Sequence, residues 1–274
     1  MLWSTRIALA STVLLLSIPF APYSAAKSSG PIWRPAPATT FQWQLSDGPV
    51  DRSVAASVYD IDVVDNDARI VAALHAAGRH VICYVDVGSY EDWRPDRARF
   101  LAHRAVLGKP YADWAGEWWL DIRRLDILGP IMRARLDRCK AKGFDAVEPD
   151  NIDGYANETG FPLRYEDQLR YNRWLAGEAH RRGLSIGLKN DGDQVGDLFQ
   201  YFDWALTEDC FNQGWCSQVM PFLRAGKAVF AVEYDDVTTR QRFDQQFCSR
   251  ARQARFTLIL KHRGLDRWRH TCGQ

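Results

Sequence analysis

The chain has 274 residues, 46% of them hydrophobic, and 35 Lys and Arg against 34 Asp and Glu give a net charge of +1. A balance this even offers no electrostatic pull toward nucleic acid or an anionic membrane, and neither is an expected partner. The length is ample for a large buried core.

Met1 to Arg6 carries one positive charge, Ile7 to Phe20 is apolar but for a few Ser and Thr, and Ser24-Ala25-Ala26 supplies small residues for cleavage. Residues 1–26 therefore read as a secretory signal peptide. The apolar run is shorter than the roughly 20 residues of a membrane span. Residues 27–40, with Pro31, Pro35 and Pro37, read as an extended Pro/Ser-rich linker. Cleavage after Ala26 leaves 248 residues, close to the roughly 250 of a barrel of eight strand–helix units. One domain, residues 41–274, is expected, as a secreted or periplasmic monomer. Six cysteines in an exported chain point to disulfides. Six allow fifteen pairings. Cys210 and Cys216 flank a short Gly-Trp loop, Cys248 and Cys272 share the C-terminal region, and Cys83 and Cys139 remain. A free buried thiol pair is the other reading of these last two.

Strands are predicted at Phe41–Leu45, Val58–Asp62, His80–Gly88, Phe144–Asp150, Leu184–Lys189, Phe202–Glu208, Ala228–Tyr234 and Phe256–Leu260, with a short extra strand at Trp119–Ile122. Helical spacing is predicted over Asn66–Ala77, Asp126–Lys142, Tyr165–Arg182, Val195–Gln200, Val219–Arg224 and Thr239–Gln253, several of them stopped by Gly. Apolar strands alternating with helices are the pattern of a parallel sheet buried on both faces. Eight such strands predict an α/β fold, a (β/α)8 TIM barrel; a doubly wound open sheet fits the same alternation. No Gly-rich phosphate loop follows the first strand, which argues against a nucleotide-binding version.

In a parallel barrel the C-terminal ends of all strands face one mouth. Here those ends hold Tyr84 and Asp86; Glu148 and Asp150, followed by Asp153; Lys189, Asn190 and Asp191; Glu208; and Glu233. The predicted mouth is strongly acidic, which favours a cationic substrate. Trp43 and Trp93, with Trp114, Trp118, Trp119 and Trp215, lie in nearby segments, and an indole face suits stacking on a sugar ring. For any single Trp a place in the core is the favoured reading. The acids miss the spacing of a helix–loop–helix calcium site, the histidines are scattered, and no Gly-x-Ser-x-Gly elbow occurs. No metal and no cofactor is expected. An acid/base pair fits best. Asp150 and Glu208, on different strands, can flank a glycosidic bond, Asp150 as nucleophile or base and Glu208 as acid, with burial behind an apolar strand raising the latter's pKa. A non-catalytic glycan-binding barrel and a metal-dependent hydrolase or deacetylase are the rival readings.

The segments Val81-Ile-Cys-Tyr-Val-Asp-Val-Gly-Ser-Tyr-Glu-Asp-Trp-Arg-Pro, Trp119-Leu-Asp-Ile-Arg, Gly143-Phe-Asp-Ala-Val-Glu-Pro-Asp-Asn-Ile-Asp-Gly-Tyr, Gly187-Leu-Lys-Asn-Asp and Ala228-Val-Phe-Ala-Val-Glu-Tyr resemble glycoside hydrolase family 114, the endo-α-1,4-polygalactosaminidases. They span nearly all of residues 41–262, in order. The resemblance implies a (β/α)8 barrel that cleaves α-1,4-linked galactosamine polymers, cationic when de-N-acetylated, with catalytic carboxylates at Asp150 and Glu208. Thr207, directly before Glu208, stands where the resemblance leads one to expect Asn.

Overall fold

Parallel strands laid down in chain order make one curled sheet. The protein is described by a computed structural model covering residues 31–46, 48–112 and 114–273. The expected signal peptide, 1–26, and the first residues of the expected linker, 27–30, lie outside the described residues. Strands β1 (Phe41–Gln44), β2 (Val58–Asp62) and β3 (His80–Asp86) pair in parallel. The connection after β3 builds a separate antiparallel sheet from β4 (Ser89–Glu91), β5 (Leu107–Pro110) and β6 (Glu117–Leu120), in the order β4-β6-β5. The expected extra strand is present there, two residues earlier than its predicted start. The main sheet resumes with β7 (Ala146–Asp150), β8 (Ser185–Lys189), β9 (Trp204–Glu208), β10 (Val229–Tyr234) and β11 (Thr257–Lys261), all parallel, and ends with the short antiparallel β12 (His270–Thr271).

Helices α1 (Ala68–Ala76), α2 (Arg97–Leu101), α3 (Leu125–Lys142) and α4 (Tyr165–Arg181) are followed by the short α5 (Val195–Leu198), α6 (Cys210–Gln213), α7 (Met220–Arg224) and α8 (Arg240–Arg242) and by α9 (Cys248–Ala254). Their ends follow local chemistry. The Asp67 carboxylate accepts from the N–H groups of Arg69 and Ile70 to start α1. Gly143, at φ 90°, ends α3 in a left-handed turn that a Cβ would oppose. Among the described residues no helix is long and apolar enough to cross a membrane.

Alternation along the strands divides the buried side chains into two cores. One lies between sheet and helices; the other fills the concave interior with Phe41, Trp43, Val58, Ile82, Ala146, Trp204, Leu206, Phe230, Val232, Tyr234 and Ile259. Phe41 of β1 stacks on Phe230 of β10 at 4.4 Å, although five strands lie between them in the sheet, so the sheet curls strongly. Burying each such side chain is worth roughly 1.5–3 kcal/mol. Where β8 passes beneath Trp204 the chain has Gly187, at which a Cβ would sit 2.4 Å from the indole.

Both ends of the sheet are tied down. Residues 31–40 form no regular element, yet Trp33 stacks on His80 at 4.2 Å and Arg34 pairs with Asp203 at 2.6 Å, closing the end where the strands begin. At the other end the Leu265 carbonyl accepts from the N–H groups of Leu45 and Ser46, which brings the C-terminal loop to β1. The buried Lys261 donates to the carbonyls of Asp266 and Trp268 and holds that loop. Disulfides join Cys83 to Cys139, Cys210 to Cys216 and Cys248 to Cys272, the expected pairings.

Candidate active site

The inward positions of neighbouring strands converge on one ammonium group. Lys189 ends β8, with its side chain 2% exposed. Its Nζ lies 2.8 Å from Glu148 Oε1, 3.0 Å from Asp150 Oδ1 and 3.1 Å from Glu208 Oε2, and 4.5 Å from the centre of the Trp43 ring. The local sequence explains the convergence. Glu148 and Asp150 are two apart on β7 and so share a face. The pairing of β7 with β8 consists of Ala146–Ser185 and Val147–Ile186; beyond it Pro149 has no N–H to offer. Asn151, Asn190 and Asp209, each the residue after a strand end, have φ of 59°, 54° and 53°. This left-handed turn is more accessible to Asn and Asp than to most residues, and it swings the chain away directly after Asp150, Lys189 and Glu208. Gly88 permits the close approach of the Asn151 carbonyl, which a Cβ there would meet at 1.6 Å.

The two carboxylates at the mouth have matching partners. Asp150 Oδ2 accepts from the Tyr84 hydroxyl at 2.9 Å, and Glu208 Oε1 accepts from the Tyr234 hydroxyl. Burial and then the adjacent carboxylate push both phenols well above their usual range, which keeps them protonated as donors. Asn190 clamps Glu208 twice: its Nδ2 donates to Oε2 and its Oδ1 accepts from the Glu208 N–H, both at 2.8 Å. Glu208 is one-quarter exposed, and its neighbours are hydrogen-bonding groups rather than the apolar surroundings expected from the sequence. Thr207 faces the other way, its hydroxyl 3.3 Å from Cys210 Sγ; the amide contact to Glu208 comes from Asn190, just past the end of the neighbouring strand β8.

These groups sit in a cavity of about 970 Å³. Among the sequence-predicted residues Trp43, Tyr84, Trp93, Asp150, Asp153, Lys189, Asn190 and Glu208 line it. Asp153 is pushed up to about 6 by burial and by Asp150. Four predicted residues do not line it. Glu148 is fully buried one level below the mouth. Asp86 accepts from Gly88, Ser89 and Asn151 and shapes the wall from behind. Asp191 is buried against Asn172 and Tyr155. Glu233 points to the helix layer, where its carboxylate accepts from the N–H groups of Phe211 and Asn212 at the start of α6; the inward residue of that pair is Tyr234.

Trp114 and Trp215, candidates for stacking from the sequence, and Asp209, next to Glu208 at its strand end, line it too, and so do residues absent from the sequence-based set: Asp62, Asp65, Glu91, Arg94, Tyr111, Glu117, Asn151, Tyr234 and Arg263. Eight lining acids face three lining bases, and Arg94 and Arg263 are bound to Asp62, Glu91, Asp209 and Asp236. The mouth is acidic, as expected. Ser89 Oγ lies 2.5 Å from both Asp86 and Glu117. One hydroxyl donates one proton, so one of these carboxyls keeps its own; it is Glu117, pushed up to about 10 by burial and by Asp86. Trp93 and Trp114, each 49% exposed, stand at the rim and present flat apolar faces.

The family model for glycoside-hydrolase family GH114 matches residues 23–274. The structure of Aspergillus fumigatus Ega3 in complex with galactosamine is 38% identical, with a TM-score of 0.82, over 89% of this chain and 99% of that one. The glycoside hydrolase domain of PelA from Pseudomonas aeruginosa shares the fold at 15% identity and a TM-score of 0.69, over 86% of this chain and 99% of that one. No curated protein sequence matches the chain.

Proposed function

Because the chain belongs to glycoside-hydrolase family GH114 and is a glycoside hydrolase, we propose that it cleaves α-1,4-linked, galactosamine-rich polysaccharide internally, using Asp150 and Glu208. The galactosamine bound to Ega3 supports the substrate class, and the acidic, Trp-rimmed cavity suits a polymer of ammonium-bearing sugars. Residues 41–274 are read as one (β/α)8 domain that acts after secretion. Three disulfides fit an oxidising compartment.

The observation that carries the reading is the shared contact with Lys189. Its Nζ is 3.0 Å from Asp150 Oδ1 and 3.1 Å from Glu208 Oε2, so those oxygens are at most 6.1 Å apart. Retaining glycosidases hold their carboxyl groups about 5–5.5 Å apart, and inverting enzymes about 6.5–9.5 Å. The arrangement supports retention: Asp150 attacks the anomeric carbon while Glu208 protonates the departing oxygen, then takes a proton from the water that releases the sugar. Lys189 and Tyr84 each bind one oxygen of Asp150 and hold the carboxyl in place.

The test is oligosaccharide release from partly de-N-acetylated galactosamine polymer. Parent enzyme is expected to release oligomers of mixed length. Glu208→Gln is expected to lose about 10²–10⁴-fold in rate, and Asp150→Asn at least as much. A parent that binds polymer without releasing product, or folded variants with parental rates, would sink the assignment.

A further inference from the structure

Asp60 projects from the middle of β2 into the sheet's interior, fully buried, and the sequence-based site does not include it. Neither of its oxygens has a hydrogen-bond partner among the described residues, nor has Glu148 Oε2. Lys189 cannot serve them, because its three protons go to Glu148, Asp150 and Glu208. The Nε1 atoms of Trp43 and Trp204 and the Ser185 hydroxyl are also buried and unpaired, but none of them carries a charge to neutralise an anion.

We propose that Asp60 is a positioning residue of the active site: it holds a proton and donates it to Glu148 Oε2, which keeps Glu148 ionised as the counter-charge to Lys189. Two ionised carboxylates in this interior would leave three anionic oxygens without donors, a larger cost than keeping one proton. Lys189, 2.8 Å from Glu148 Oε1, decides which group keeps it. Burial and the charge of Glu148 drive the Asp60 carboxyl well above its usual range; burial lifts Glu148 only to about 7, because Lys189 and the bond from Asp60 oppose it.

The consequence reaches the mouth. With Glu148 ionised, the charge of Lys189 is balanced from below, and Asp150 and Glu208 can retain one proton between them. Without that balance the ammonium pulls the proton off the pair, and the acid form is lost at lower pH. Tyr84 and Tyr234 stay neutral donors and do not alter this count.

Two measurements test the proposal, and the first needs no activity. Glu117 and Asp191 hold protons in parent and variant alike and cancel in an infrared difference spectrum; the difference between parent and Asp60→Asn at pH 7 is expected to leave one further protonated-carboxyl carbonyl band on the parent side, and its absence overturns the proposal. The second rests on the reading of Asp150 and Glu208 and follows kcat against pH on partly de-N-acetylated galactosamine polymer. Asp60→Asn, whose amide donates the same bond, is expected to keep the parental profile. Asp60→Leu is expected to move the alkaline limb down by about 1–2 pH units. If Asp60→Leu does not fold, Glu148→Gln is expected to give the same downward shift. Equal shifts in the Asn and Leu variants, or no shift in any, contradict the proposal. A parent inactive on the polymer would fail the substrate reading alone and leave the infrared result to decide.

Discussion

Lys189 is the residue on which the site depends. Its burial is tolerated because three carboxylates surround it, and theirs because it is there. Removing one partner of a buried charge group typically costs about 3–5 kcal/mol. Lys189→Met is therefore expected to lose about that much stability at pH 8. The loss is expected to shrink at pH 5, because carboxylates without a cation take up protons and their repulsion fades. Denaturant midpoints of variant and parent at the two pH values check this; an equal loss at both would contradict it. At this scale the sequence disclosed which residue types meet, but not their depth. Glu148 and Asp150 share a face, as alternation requires, yet one is sealed in and the other a fifth exposed. The linear pattern carries no measure of height within a sheet. Asp60 is readable only as one of two acids in a short strand that is otherwise apolar or aromatic.

Among the elements, β10 shows where strand patterning stops being informative. Val-Phe-Ala-Val-Glu-Tyr is buried at every position, so no polar–apolar alternation fixes which residues face inward. Its charge alone points Glu233 to the cavity, while the fold places Tyr234 there and uses Glu233 to receive the start of α6. By contrast, α3 and α4 begin and end within one residue of their sequence-predicted limits, because α3 meets Gly143 and α4 is followed by Gly183. Only one strand of the small antiparallel sheet is legible in the sequence, because β4 and β5 are three and four residues long, too short for a periodic signal. The disulfides separate stability from positioning. Cys83–Cys139 joins β3 to α3 across 56 residues, and its removal is expected to cost about 4 kcal/mol by loop entropy, with kcat little changed. Cys210–Cys216 spans six residues just after Glu208. Its removal is expected to cost about 2 kcal/mol and to lower kcat, because it holds the turn that fixes Glu208. Thermal unfolding and turnover of the two double Cys→Ser variants check this; the reverse pattern of kcat losses would contradict it.

Over the whole molecule, buried acids govern the response to pH. Burial lifts Asp153 to about 6, Glu91 and Glu233 to about 7, Asp191 to about 8 and Glu117 to about 10. Each binds its proton more tightly folded than unfolded, so stability falls as pH rises from about 4 through each folded value. Lys261, lowered by burial to about 7, acts in the opposite sense above that pH. Glu178, brought down to about 2 by Arg182, Arg181 and Arg133 against the effect of burial, loses its contribution as pH falls toward that value. The melting temperature is therefore expected to be highest near pH 5, to fall toward pH 7 and to flatten beyond it; calorimetry from pH 3 to 9 with a maximum above pH 7 would contradict this. The acidic mouth and parallel sheet were legible from the strand ends alone. How β1 and the C-terminal loop meet was not, because that junction rests on main-chain contacts to Leu265, which leave no mark in composition. The central claim, that Asp150 and Glu208 act as a closely spaced pair across Lys189, is tested most directly by proton NMR of the first reducing ends released from α-1,4-galactosamine polymer, read before mutarotation. Retention, with the α anomer formed first, is the predicted result; the β anomer formed first would contradict the account.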